Sequence, residues 1–161
     1  MQSNHELKEK LADASFDQKR YWLSNCCLAL KLWQERVKAD QVFPNLRRWR
    51  CGTQACFGGW VATWPEFQAL GVDTYETDDP GSNRSGKPYM VDGSFFLTDY
   101  GLSQHLFGHR DMFCPSVEED MDAMDPDLFE IKPVGMHDYN VVLFRLETQI
   151  LNLQEAGAVC G

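Results

Sequence analysis

Apolar residues near the N-terminus recur at helical spacing. Residues 5–14 (HELKEKLADA) predict a short amphipathic helix, and Asp17 is the predicted cap of a longer helix that runs to about Ala39. The apolar positions of the longer helix recur every three or four residues, which gives one broad buried face. These positions are Trp22, Leu23, Cys26, Cys27, Leu30, Trp33 and Val37.

The segment from Cys51 to Gly71 predicts two short helices. Thr53 is placed to cap a helix through about Thr63, and Pro65 is placed to open a second helix that ends before Gly71. Two consecutive glycines at positions 58 and 59 each cost roughly 1 kcal/mol relative to Ala inside a helix. We therefore expect this helix in the core, in close contact with a neighbouring backbone or Trp ring.

The middle of the chain alternates between polar and apolar stretches. Residues 73–93 are rich in Asp, Gly, Pro, Ser and Thr, which predicts a long surface loop or a small hairpin. From Ser94 the pattern FFLTDYGLSQHLFG predicts one helical turn that stops at Gly101. Ser103 is then expected to cap a second short helix that carries Leu106 and Phe107.

Two further helices are predicted towards the C-terminus. Ser116 and Glu119 form a capping-box pattern that opens an acidic helix through about Met124. Asp138 is the predicted cap of the last helix, whose apolar stripe ends at Gly157. The pattern as a whole predicts a mainly α protein, a single compact multi-helix domain over residues 1–161.

Composition supports a globular protein and restricts its partners. The 161 residues are 43% hydrophobic, and the net charge is −9. Residues 1–50 hold ten Lys/Arg against six Asp/Glu, and residues 51–161 hold five against eighteen, so the two parts carry about +4 and −13. An acidic surface repels nucleic acid and anionic membranes, so we expect a partner protein with a basic surface.

The N-terminal sequence and the cysteines bear on the compartment. No apolar run reaches the length of a signal peptide or the ~20 residues of a membrane span, which predicts a cytoplasmic protein. In a reducing compartment the six cysteines are expected to stay thiols, most of them as small core residues.

The stretch CGTQACFGGW, followed later by GLSQHLFG at residues 101–108, resembles a group of small bacterial and phage proteins with a CGTxACxxGW-like motif. The likeness covers residues 49–71 and 94–113, about a third of the chain. It implies a helical fold and a phage or mobile-element origin, and it implies no enzymatic activity.

Three patterns are candidates for chemistry. Cys56 lies in QACFG, which matches the outline around the nucleophile of caspase-like proteases, and His105 could serve as its base. Arg48 and Arg50 beside a helix that starts at Thr53 could bind an anion or lower the pKa of nearby thiols such as Cys51.

The third pattern is a possible metal site made of His105, His109 and Cys114, although Gly108 indicates that the helix ends before His109. Buried thiols and solvated arginines explain the same residues without chemistry. A small cysteine-dependent enzyme or a metal or redox sensor is therefore the alternative function.

The acidic residues provide the preferred site. Seven carboxylates fall within residues 118–130, and four more lie between Asp73 and Asp79. Carboxylates spaced like duplex phosphates can imitate DNA towards a basic protein. The sequence thus predicts a non-enzymatic accessory protein without a cofactor, of phage or mobile-element origin, that inhibits or modulates a host protein. The residues predicted to contact this partner are Asp78, Asp79, Glu118, Glu119, Asp120, Asp122, Asp125 and Asp127.

Overall fold

A computed structural model describes residues 4–37, 57–74, 88–113 and 134–159. These residues form a mostly helical structure with a small three-stranded antiparallel sheet in the order β1-β2-β3. The structure is therefore mostly helical, but the prediction of a mainly α fold holds only in part, because a three-stranded sheet accompanies the helices. The elements are α1 (Asn4–Asp13), α2 (Phe16–Arg36), α3 (Phe57–Val61), α4 (Pro65–Gln68), β1 (Asp73–Thr74), β2 (Pro88–Asp92), β3 (Phe95–Thr98), α5 (Asp99–Phe107) and α6 (Val134–Glu155).

The N-cap of the long helix α2 lies two residues before the predicted cap. Ser15 is the N-cap, in extended backbone conformation, and its Oγ accepts a hydrogen bond from the Gln18 N–H at 3.2 Å. Asp17 lies inside the first turn, where its negative charge still favours the helix N-terminus. The helix ends at Arg36 rather than near Ala39, because Val37 has left the helical conformation.

The core lies where α2 packs on α6 and α5. Trp33 is fully buried; its Nε1–H donates to the Tyr139 carbonyl at 3.2 Å, and the two rings stack at 5.6 Å. A hydrogen bond for the indole N–H allows this large side chain to be buried without an unsatisfied donor. The apolar stripe predicted for α2 is therefore the face that holds the C-terminal helix.

The start of α6 differs from the prediction and its end agrees with it. Helical backbone begins at Val134, so Asp138 lies within the helix and is not its cap. No proline follows Pro133 in this segment, and nothing in the backbone chemistry forces a later start. The helix ends at Glu155, shortly before Gly157, whose φ of +100° is a conformation that favours glycine.

Phe57 is at the centre of an aromatic cluster. Its fully buried ring contacts four other rings, with centroid distances from 5.5 to 6.5 Å. These rings belong to Trp33, Trp64, Phe107 and Phe113. Gly58 and Gly59 are buried beside it, and α3 packs on β2. Their burial agrees with the prediction that close packing accounts for the double glycine. Pro65 opens α4 as predicted.

The sheet replaces the helical turn that was predicted from Ser94. Residues 95–98 form β3, which pairs with β2 across a two-residue turn at Gly93 and Ser94. Gly93 has a φ of +61°, which glycine adopts without steric cost. The following helix α5 is continuous from Asp99 through Gly101, so the predicted stop at Gly101 and cap at Ser103 are both wrong. Gly101 therefore lies inside a helix and does not end it. The turn at Gly93 and Ser94 instead directs residues 95–98 back along β2 as a strand.

The ion pair between Arg36 and Glu66 links the C-terminal end of α2 to α4 through two hydrogen bonds of 2.7 and 2.6 Å. The side-chain hydrogen bond from Arg36 lowers the pKa of Glu66 below its ordinary value. A carboxyl group with a lowered pKa in the folded state stabilises the fold above its unfolded pKa, and this contribution is lost as the pH falls through the folded pKa.

We therefore expect Glu66→Gln to lower the unfolding midpoint slightly at neutral pH and to have a progressively smaller effect below about pH 4. Thermal unfolding of wild type and variant between pH 7 and pH 2.5 measures this difference. A difference that is constant over the whole range would show that the ion pair does not contribute.

Candidate functional site

The GLSQHLFG segment forms α5 and the turn after it, and its C-terminal carbonyls are satisfied by other helices. The Trp22 Nε1–H donates to the His105 carbonyl at 3.1 Å, and the Asn25 amide donates to the Leu106 carbonyl at 2.9 Å. From α6, the buried Gln149 amide donates to the Phe107 carbonyl at 2.9 Å. Side chains from both long helices therefore satisfy the carbonyl groups that a helix end leaves without partners. This part of the motif has a structural role.

Ser103 is also structural. It is fully buried; its hydroxyl donates to the His109 carbonyl and accepts from the Met112 N–H at 3.1 Å. The Asp111 N–H donates to His109 Nδ1 at 3.0 Å, so one lone pair of this imidazole is already used. Together these bonds hold the turn that follows α5.

The two histidines of the possible metal site are separated by the end of α5. The helix stops at Phe107, and Gly108 has a φ of +72°, so His109 lies outside the helix as Gly108 indicated. His105 lies in the last turn, and its ring packs edge-on against Tyr21 with 5.9 Å between the ring centroids. Within the described ranges, no three His, Cys, Asp or Glu side chains form a group that could hold a metal ion.

Most of the other predicted site residues lie outside the described residues. These are Arg48, Arg50, Cys51, Thr53, Cys56, Asp78, Asp79, Cys114, Glu118, Glu119, Asp120, Asp122, Asp125 and Asp127. Of the six cysteines, Cys26 and Cys27 are described, and neither forms a disulfide. Burial raises the pKa of the Cys26 thiol well above its ordinary value, which keeps it protonated and unreactive.

The exposed apolar residues concentrate on the hairpin of β2 and β3. Val91, Phe95 and Phe96 are 59%, 70% and 61% exposed, and Tyr100 follows in α5 at 58%. Elsewhere in the described chain, the large hydrophobic side chains with comparable exposure are Phe16, Leu151 and Val159. We call Tyr89, Val91, Phe95 and Phe96 the hairpin patch. Adjacent exposed apolar side chains of this kind mark interaction surfaces in soluble proteins.

The two faces of the hairpin differ in what they contact. Pro88 and Met90 are buried, and Leu97, which pairs with Met90, packs against the core. On the opposite face Val91 pairs with Phe96, and the Phe96 ring stacks on Tyr89 at a centroid distance of 5.3 Å. The inner face thus fixes the hairpin to the core, and the outer face presents the stacked Tyr89–Phe96 pair to the outside. Phe95, which pairs with Asp92, is exposed at the turn end of the inner face.

An acidic residue borders the patch at each end. The Tyr89 hydroxyl donates to the Asp73 carboxylate at 3.2 Å, and Asp92 is exposed next to the turn. The negative charge of Asp73, together with this hydrogen bond, raises the pKa of Tyr89. Tyr89 therefore stays a neutral hydrogen-bond donor at the rim of the patch.

Sequence reasoning missed this surface, although a signal for it exists. Gly93-Ser94 is a favoured two-residue hairpin turn, and it separates PYMVD from the β-prone residues FFLT. Reading residues 94–101 as a helical turn placed the Phe residues in a helix and hid their exposure. The predicted loop or small hairpin near 73–93 includes β1 and β2, which do pair with each other, but it stops before β3.

Comparisons with family models, with curated proteins and with solved structures found no match to this chain. Among the helices in the described parts of the chain, none has the length and apolar character needed to cross a membrane.

Proposed function

We propose that this protein is not an enzyme and that it acts by binding another protein through the hairpin patch. The observation that carries the proposal is the exposure of Val91, Phe95 and Phe96 within six consecutive residues of one anchored hairpin. Aromatic side chains dominate the energy of protein interfaces because they bury a large area at a low cost in conformational entropy. A hairpin that is fixed to the core also favours binding, because its contact residues are ordered beforehand and lose less conformational entropy on binding.

Charge supports a basic partner. The chain carries a net charge of −9, and in the described strands the charged side chains are the acidic residues Asp73 and Asp92. Carboxylates around an apolar contact attract a basic surface from a distance and so speed association. The seven acidic residues within 118–130 add to the negative charge of the chain, and we propose that they also present a DNA-like array of carboxylates to the partner.

The proposed setting is the cytoplasm of a host cell, with the protein as an accessory factor of phage or mobile-element origin that modulates a host protein. This setting is supported by the resemblance of CGTQACFGGW and GLSQHLFG and by the acidic sequence. For the alternative, a cysteine enzyme or sensor, the described residues include His105, whose ring packs against Tyr21, whereas Cys51 and Cys56 lie outside them.

The double variant Phe95→Ser/Phe96→Ser is expected to lose its partner while it stays folded. Both side chains are mostly exposed, so their removal changes the core little, whereas interface anchors often account for more than 2 kcal/mol of binding, which is over tenfold in affinity. Wild type and variant are immobilised and used to capture proteins from the cells in which the chain occurs. Quantitative mass spectrometry gives, for each captured protein, the ratio of the amounts retained by wild type and by the variant.

The matched control is Phe16→Ser/Leu151→Ser, which also replaces two half-exposed apolar residues but leaves the hairpin unchanged. A protein that wild type and control retain equally and that the hairpin variant loses supports the proposal. Equal capture by all three proteins, with all three folded by circular dichroism, contradicts it.

A further inference from the structure

The end of the hairpin projects beyond the core that holds its base. Met90 and Leu97 face each other across the strands, and both pack against the core. Residues 91–96, which comprise the turn and the two pairs of residues next to it, are all exposed. Because a strand rises about 3.4 Å per residue, this exposed segment extends roughly 7 Å past Met90. We call residues 91–96 the hairpin end.

Both faces of the hairpin end carry a phenylalanine. Successive side chains of a strand point to opposite faces, so Phe95 and Phe96 lie on different faces of the hairpin. Phe96 is 61% exposed on the outer face, and Phe95 is 70% exposed on the inner face, beyond the part that packs on the core. A flat surface against the outer face would cover Phe96 and leave Phe95 in water. A cleft that receives the hairpin end would remove both rings from water, which is favourable for apolar surface.

Asp92 narrows the chemistry of such a cleft. It pairs directly with Phe95, and it is the one charged residue in the hairpin end. Paired residues have Cβ atoms about 4.5–5.5 Å apart, so a wall that covers Phe95 also covers this carboxylate. A carboxylate that loses its water needs a charged partner, so the wall that faces Phe95 requires Lys or Arg. Two copies of this chain that met through their hairpin ends would instead bring two Asp92 carboxylates together, and the net charge of −9 on each opposes this.

We propose that the hairpin end inserts into an apolar cleft of the partner protein. One wall of the cleft contacts Phe96, the opposite wall contacts Phe95, and a Lys or Arg of the second wall pairs with Asp92. The inference rests on the proposed function, since it specifies how the hairpin patch holds its partner. It adds that the inner face takes part in binding through Phe95 and Asp92, which contact through the outer face alone does not require.

The probe for the test is the protein that wild type captures and Phe95→Ser/Phe96→Ser loses, purified after its identification. Surface plasmon resonance measures its affinity for the immobilised full chain and for single variants. We expect Phe95→Ser and Phe96→Ser each to weaken binding by at least about tenfold, because each ring fills one wall of the cleft. Leu151→Ser, which replaces a residue of α6 that is 59% exposed, should leave the affinity unchanged. A loss in only one of the two Phe variants would mean that one face alone makes the contact, and it would overturn insertion.

The charge in the cleft is tested with Asp92→Asn, which keeps the shape of the side chain and removes its charge. We expect binding about tenfold weaker at low salt, and a smaller decline in affinity when the salt is raised from about 50 to about 300 mM. The matched control is Glu147→Gln, which neutralises an exposed acidic residue of α6 and should behave like wild type. Equal affinity of Asp92→Asn and wild type would overturn the pairing of Asp92 with Lys or Arg.

Crosslinks from benzoylphenylalanine at position 95 and at position 96 locate the two walls. We expect them to attach to two segments of the captured protein that are apart in its sequence, and attachment of both to one shared segment would overturn insertion. A dimer in analytical ultracentrifugation that Phe95→Ser abolishes would assign the hairpin end to a second copy instead. If any of these contrary results occurs while Phe95→Ser/Phe96→Ser still loses its captured protein, the proposed function stands and only insertion fails. If no protein is lost by that double variant, the proposed function fails and insertion fails with it.

Discussion

Replacement of Phe57 with alanine is expected to lower the free energy of unfolding by about 3–5 kcal/mol, the usual cost of removing a buried aromatic side chain. Phe57 has no exposed surface, and its ring contacts rings from α2, from α5, from the turn after α5 and from Trp64, the N-cap of α4. Because these rings come from several packed elements, they cannot fully fill the cavity that Phe57→Ala leaves. Urea unfolding followed by tryptophan fluorescence measures the change.

The control for this prediction is Phe16→Ala, which removes the same atoms from a side chain that is 55% exposed. Its expected cost is below about 1 kcal/mol, because surface substitutions rarely exceed this range. If the two variants lost similar stability, the aromatic cluster around Phe57 would not be the centre of the core. The CGTQACFGGW segment would then need another explanation than packing.

Gly108→Ala is expected to destabilise the protein by about 2–4 kcal/mol through two separate effects. The φ of +72° is a left-handed conformation that costs a non-glycine residue roughly 1–2 kcal/mol. A Cβ at this position would also lie 2.6 Å from two ring atoms of Trp22, whose side chain is buried and hydrogen-bonded to the His105 carbonyl. The ring cannot move without breaking that bond, and overpacking of this kind typically adds 1–3 kcal/mol.

Gly93→Ala separates the two effects, because Gly93 has a similar φ of +61° and a Cβ there would have no neighbour within 4 Å. Thermal unfolding of both variants should show a clearly larger loss for Gly108→Ala, and the difference reports the contact with Trp22. Equal losses would mean that Trp22 does not pack against the turn after α5.

The helices were predictable where hydrophobic spacing alone decides them. The buried faces of α2 and α6 follow the three- and four-residue recurrence of their apolar residues, and Pro65 and Gly157 mark helix limits by backbone chemistry. The exact starts were less predictable. Ser15 and Asp17 are both good caps, and the sequence does not say which one accepts the first hydrogen bond.

The sheet was not predictable from apolar spacing, because FFLT is too short to separate a strand from one helical turn. Its partner strand lies before Gly93, and the choice depends on pairing with Met90 and Val91 rather than on the four residues themselves. The same ambiguity hid the hairpin patch. An amphipathic helix would have buried Phe95 or Phe96, whereas strand pairing leaves both exposed.

The contacts at the C-terminal end of α5 could not be predicted from the sequence either. Its C-terminal carbonyls bind the side chains of Trp22, Asn25 and Gln149, which come from helices that are about 40 to 80 residues away in the chain. No local pattern indicates such contacts. They explain why two large polar side chains lie in a core that periodicity treats as apolar.

The most direct test of binding through the hairpin is photocrosslinking. A benzoylphenylalanine is placed at position 96 or at position 16, both of which are exposed Phe residues in the natural chain. Irradiation in the cells where the protein occurs should give a defined crosslinked product from position 96 and none of the same mass from position 16. The same product from both positions, or from position 16 alone, would contradict the hairpin patch as the contact surface.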